Sequence, residues 1–183
     1  MTPRAWRSEL AKLPAISAAR EGERAVATGT VIAIGEPLAA PLSGIACVAY
    51  HAVARGKAPF PVDITVVQPF MVDADAEGRW RVDAGTAILA LPTVPRRRFR
   101  RSRVRLFEAM HRVQPFLGFL RCTERLVAVG ARVSVAGVVA LDGDSVPTSD
   151  AGFRTATLAL MLVAGSEEPV VVVAAQAPAR TTR

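Results

Sequence analysis

Residues 123–144 read TERLVAVGARVSVAGVVALDGD, and their texture is that of extended chain. Thr123-Glu124-Arg125-Leu126 leads into Val127 to Val129 and Gly130, after which Val133, Val135, Val138 and Val139 continue the run to Leu141-Asp142-Gly143-Asp144. β-branched side chains suit a pleated, half-buried surface, and no helical period organises them. Asp142-Gly143 marks a turn, because Gly accepts positive φ.

Working outward, residues 155–163 and 170–174 read as a last hairpin across residues 165–169, and residues 177–183 as a frayed tail. On the N-terminal side, residues 98–120 carry Phe99, Val104, Leu106, Phe107, Met110, Val113 and Phe116 at roughly helical period. This predicts one long basic helix with Pro115 as a break. Its arginines point outward by snorkelling, while Phe99 and Leu106 are expected in the core. Earlier come a short strand at residues 87–91, a hairpin whose second strand holds Trp80 to Val82, and a strand pair formed by residues 62–67 and 69–72. Residues 45–53 read as a buried strand entered through the turn Pro41-Leu42-Ser43-Gly44, and residues 25–34 as a β-rich stretch closed by Gly35-Glu36-Pro37. Trp6, Leu10, Leu13 and Ile16 are spaced for a short amphipathic helix that Pro14 breaks. The fold class expected is mainly β (α+β): an antiparallel, barrel-like domain over 25–176 with one inserted basic helix, an N-terminal helical arm over 1–24 and a flexible tail over 177–183.

A chain of 183 residues with 51% hydrophobic residues can bury a genuine core. Lys+Arg 23 against Asp+Glu 16 gives a net charge of +7, which favours anionic partners, although an arginine-rich genomic bias accounts for the same excess. Cys47 and Cys122 fit neither zinc-ligand spacing nor a disulfide framework and are expected as reduced, buried thiols. The basic start leads into charged, proline-broken sequence and not into a secretory apolar stretch. The most apolar run, residues 156–175, is interrupted by Gly165, Ser166, Glu167, Glu168 and Pro169, so it is not a membrane span. A cytoplasmic protein that reaches a membrane only peripherally is the expectation.

The densest charge is Arg96, Arg97, Arg98, Arg100, Arg101, Arg103 and Arg105. Such a run either forms a solvated helix face or makes an anionic surface contact, and the partners expected are an anionic lipid surface or a protein partner. Nucleic acid is a lesser expectation, because Phe99 and Phe107 are the only neighbouring rings and both suit the core. His51 and His111 lack metal-binding neighbours in sequence, and Asp73, Asp75 and Glu77 lack the closing Glu of a calcium loop. Ser43 is not in a nucleophile elbow, and no phosphate-cradling glycine motif occurs. No cofactor, metal or catalytic residue is expected, and the reading is a non-enzymatic binding module. Its alternatives are a barrel for single-stranded nucleic acid and a hydrolase with a dispersed site.

Three ordered stretches resemble the GIDE-type domain, also called BAM for "beside a membrane", found in membrane-anchored mitochondrial ubiquitin ligases and in many prokaryotic proteins. The first is Gly29-Thr30-Val31 with Pro37-Leu38, Pro41-Leu42-Ser43-Gly44 and the Cys47 to Tyr50 segment. The second is Pro69-Phe70, Val72, Asp75, Gly78 and Val82-Asp83. The third is Glu124-Arg125-Leu126-Val127 with Gly130, Val133, Val135 and Gly137. The resemblance implies a β-rich body with an inserted helix that senses a ligand or partner beside a membrane. It carries over no catalytic residue. With only two cysteines the chain has no RING, so ligase activity is not implied, and the family's flanking membrane helices have no counterpart in this sequence.

Overall fold

The computed structural model describes residues 3–55, 62–74, 78–83, 85, 87–110, 121–141, 160–165 and 169–175. In chain order the elements are helix α1 (Pro3–Leu10), strands β1 (Arg24–Ala33), β2 (Leu38–Ala39), β3 (Ala46–Arg55), β4 (Val62–Val67), β5 (Phe70–Asp73), β6 (Arg79–Asp83) and β7 (Ala87–Ala90), helix α2 (Arg101–Met110), and strands β8 (Arg121–Ala128), β9 (Arg132–Leu141), β10 (Leu160–Val163) and β11 (Val170–Ala174). Short 3₁₀ turns lie at Ile16–Ala18 and Arg96–Arg98.

Five strands close a barrel. β1 pairs with β5, β5 with β6, β6 with β10, β10 with β9, and β9 returns to β1. All these pairs are antiparallel except β6–β10, which is parallel. Numbered along the chain, the barrel strands run 1-2-3-5-4-1 with the third and fifth parallel, the five-stranded Greek-key arrangement of the OB type. Alternation explains the inside: Ala25, Ala27 and Val31 of β1, Phe70 and Val72 of β5, Val82 of β6, Val133, Val135 and Val139 of β9, and Leu162 of β10 form one buried cluster. Gly29 occupies the same inward row, where a side chain has no room: its Cβ would run into the Asp73 carbonyl group and lie 2.8 Å from the Ala74 nitrogen. So tight a barrel needs a missing side chain at such an approach.

The edge of β9 that faces away from β1 is divided. Its end pairs with β10, while Val133 to Ala136 pair with β11, which in turn pairs in parallel with β7. The expected final hairpin is therefore corrected: β10 and β11 lie end to end along one edge of β9 and not beside each other. α1 covers the outer face here, where Leu10 joins Ala90, Ala136, Val171 and Val173, with Trp6, Leu13 and Val26 packed against them.

A second sheet is built on β3, flanked by β8 on one edge and by β4 and β2 on the other. β4 and β5, expected as partners, thus belong to different sheets. Val48, Ala49 and Val127 of the second sheet reach into the barrel cluster, so the two sheets share one core. The opposite face of the second sheet carries α2: Leu42, Ala52, Ala54, Phe107 and Cys122 are buried together, with Tyr50, Phe99 and Val104 against them. The long helix expected from residue 98 begins at Arg101 after the 3₁₀ turn, and its stretch from 111 to 120 lies outside the described residues.

Candidate functional site

α2 is held by one turn and one buried carboxylate. Glu124 on β8 is wholly inaccessible to solvent, and its two oxygens accept hydrogen bonds from the backbone N–H groups of Leu42 (2.7 Å) and Ser43 (3.2 Å). Charge-assisted bonds of this kind are about twice as strong as neutral ones, and a buried carboxylate without them would be prohibitive. The Ser43 hydroxyl accepts from the Ile45 N–H within the same turn. Leu42 then returns a contact toward the helix, its carbonyl accepting from the Arg100 N–H at 3.0 Å. The Glu124 backbone carbonyl accepts from the Val94 N–H at 2.7 Å, which fixes the chain entering the arginine segment. Gly44 completes the turn at φ +75°, and its Cα faces the Arg103 guanidinium so closely that a Cβ would lie 2.7 Å from Nε. Glu124 therefore ties the 41–44 turn to β8.

The arginines separate on this frame. Arg103 is half-buried over Gly44 and belongs to the packing, whereas Arg96, Arg98, Arg100, Arg101 and Arg105 are exposed. The Arg97 side chain lies outside the described residues. Leu106, expected in the core, is 58% exposed, as is Met110 at 68%. The reason is helical phase: Val104 and Phe107, joined by Phe99 from the segment before α2, pack against the second sheet, and Leu106 is turned about 100° from Phe107 around the helix. At 3.6 residues per turn the i,i+4 pair Arg101 and Arg105 and the i,i+4 pair Leu106 and Met110 lie on opposite flanks of the outward side, so α2 exposes a cationic edge and an apolar edge.

Other sequence candidates have quieter places. His51 Nε2 lies 2.7 Å from an Asp63 carboxylate oxygen across the β3–β4 ladder. Asp73 pairs with Arg79 at the mouth of the β5–β6 hairpin, while Asp75, Glu77 and His111 lie outside the described residues. Cys47 and Cys122 are free and buried. Burial, then the Glu124 charge, pushes the Cys47 thiol up to about 12. Burial, then Glu108, pushes Cys122 up to about 11, with Arg96 opposing. Burial also raises the Tyr50 hydroxyl, helped by Cys47 and Glu124. Among the described residues no three His, Cys, Asp or Glu side chains gather in a group able to hold a metal ion.

The face on which OB-type barrels take up nucleic acid, the second and third barrel strands, here presents Met71 and Asp73 on β5 and Arg79, Arg81 and Asp83 on β6. Its charges are paired, Arg79 with Asp73 and Arg81 with Asp83, each at 3.2 Å. All six described aromatic rings, Trp6, Tyr50, Phe70, Trp80, Phe99 and Phe107, are taken up in the core clusters. No helix among the described residues is long and apolar enough to cross a membrane. Compared with protein families, curated proteins and solved structures, the chain matches none.

Proposed function

We propose that the protein is a non-enzymatic binding module that docks on an anionic membrane surface through the outward face of α2 and the arginine segment before it. The observation that carries the reading is the joint exposure of Arg101 and Arg105 with Leu106 and Met110 on a helix whose other face is anchored. Arginine near an acidic leaflet contributes about 1 kcal/mol, and sinking the exposed part of a Leu or Met side chain roughly 1 kcal/mol more. Arg101, Arg105, Leu106 and Met110 together reach about 4 kcal/mol, a millimolar contact. Arg96, Arg98 and Arg100 extend it toward roughly 10 μM at low salt, and added salt screens that share.

The test is co-sedimentation with acidic and with neutral vesicles at two salt concentrations. Intact protein should pellet with acidic vesicles at low salt only. R98E/R100E/R101E should abolish recovery, and L106S/M110S should reduce it at low salt. Equal recovery with acidic and neutral vesicles, or none with either, would sink the reading. A second reading, single-stranded nucleic-acid binding, is favoured by the barrel's strand order and disfavoured by the ring placement. A gel shift with single-stranded RNA that disappears in the same charge-reversed variant would revive it.

A further inference from the structure

α1 does not lie flush on the barrel. Between it and the outer face of β1, β9 and β11 opens a cleft of about 570 Å³, within the range of small-molecule sites. Its floor is Val26, Thr28, Ser134 and Arg132 from the outward row of the β1–β9 ladder, in which Thr28 stands opposite Ser134 and Arg132 opposite Thr30. From Val26 to the level of Arg132, opposite Thr30, is about 13 Å at 3.3 Å per residue. Over that distance the surface passes from apolar to hydroxylic to cationic. The opposite wall carries both kinds of group as well: Leu13 lies where the chain returns to β1, since the Pro14 carbonyl accepts from the Val26 N–H, and Arg7 stands on α1.

Thr28 Oγ1 and Ser134 Oγ are 2.7 Å apart, so one hydroxyl donates to the other and the acceptor keeps its own hydrogen to offer. Arg7 and Arg132 both line the cleft. Two guanidinium groups and a hydroxyl donor lining one cleft complement an oxyanion, and Leu13, Val26 and Val173 complement a hydrocarbon chain.

We propose that this cleft binds a single-chain amphiphile with an oxyanion head, its chain along Val26 and Leu13 and its head between the Thr28–Ser134 pair and the arginines Arg7 and Arg132. No residue of the cleft belongs to α2 or the arginine segment before it, so this site stands or falls apart from vesicle docking.

The experiment is calorimetric titration of the whole chain, without vesicles and below micelle-forming concentrations, with decanoate, decyl phosphate, decanol and acetate. At least one of the two long-chain anions should bind about tenfold or more tightly than decanol and than acetate. The stronger of the two identifies the head as carboxylate or phosphate monoester. R7Q, at an exposed position, and R132Q should each erase most of the preference for anion over alcohol. L13S should weaken anion and alcohol together. Decanol binding as well as the anions, acetate binding as well as decanoate, or no heat with any of the four would overturn the assignment.

Discussion

Replacing Glu124 tests whether the turn and α2 form one unit. In Glu124→Ala the N–H groups of Leu42 and Ser43, residues 0% and 4% exposed, lose their acceptor in an environment that water does not reach. Each unsatisfied buried donor costs about 1–3 kcal/mol, so the pair costs roughly 2–6 kcal/mol, less the desolvation relieved by removing the charge. A net loss of about 3 kcal/mol is expected. With a urea slope of about 2 kcal/mol per molar for a chain of this size, the unfolding midpoint should fall by roughly 1.5 M. Glu124→Gln keeps one acceptor and sets an amide N–H₂ against a backbone donor, so about half that loss is expected. Because Leu42 also accepts from Arg100, amide exchange at Arg100 should quicken in both variants, while exchange in β1 and β9 changes only with global stability. A Glu124→Ala protein less than 1 kcal/mol below the parent, with exchange at Arg100 unchanged, would refute the account.

Gly29→Ala should prevent tight pairing of β1 with β5 and cost at least about 3 kcal/mol, because its Cβ meets backbone that cannot turn aside; a thermal melt within 2 °C of the parent would contradict this. Gly44→Ala should cost about 1–2 kcal/mol for its left-handed backbone and displace the Arg103 side chain, weakening acidic-vesicle binding less than R98E/R100E/R101E does. The thiols predict alkaline weakening. Unfolded, they deprotonate near 9.0, whereas folded Cys47 and Cys122 hold their protons to about 12 and about 11. Their stabilisation is whole below pH 9 and falls above it by about 1.4 kcal/mol per pH unit per thiol. In urea titrations from pH 8 to 10.5, C47A should fall less steeply than the parent; parallel slopes would show the thiol uninvolved.

Valine-rich β9 announces itself, since alternation of Val133, Val135 and Val139 reports a face, and a face is a local property. Which strand lies alongside is not local. Nothing in residues 62–72 says that Val67 serves the second sheet while Phe70 turns into the barrel, and nothing in residues 160–174 says that both strands share one edge. The arginine run was readable as a charge cluster. Its apolar half was not, because Leu106 and Phe107 are equivalent in composition and only the sheet beneath α2 decides which is buried. The role of Glu124 was hidden more deeply: nothing within Thr-Glu-Arg-Leu says that it is buried, and its acceptor role depends on a turn some eighty residues away.

The ladder between β1 and β9 also sets a clock. Thr28 and Ser134, joined through their hydroxyls, are 106 residues apart in the chain. At a synthesis rate of about 5–20 residues per second, β1 leaves the ribosome roughly 5–20 s before its partner exists. During that interval its apolar row and one hydrogen-bonding edge stand open to other chains. β3 and β4 can zip into a hairpin early, but the barrel has no closed form until β10 arrives to bridge β6 and β9. Fragments ending at residue 141 should therefore be captured by chaperones or aggregate, and β10, short as it is, should act as the latch that closes the barrel.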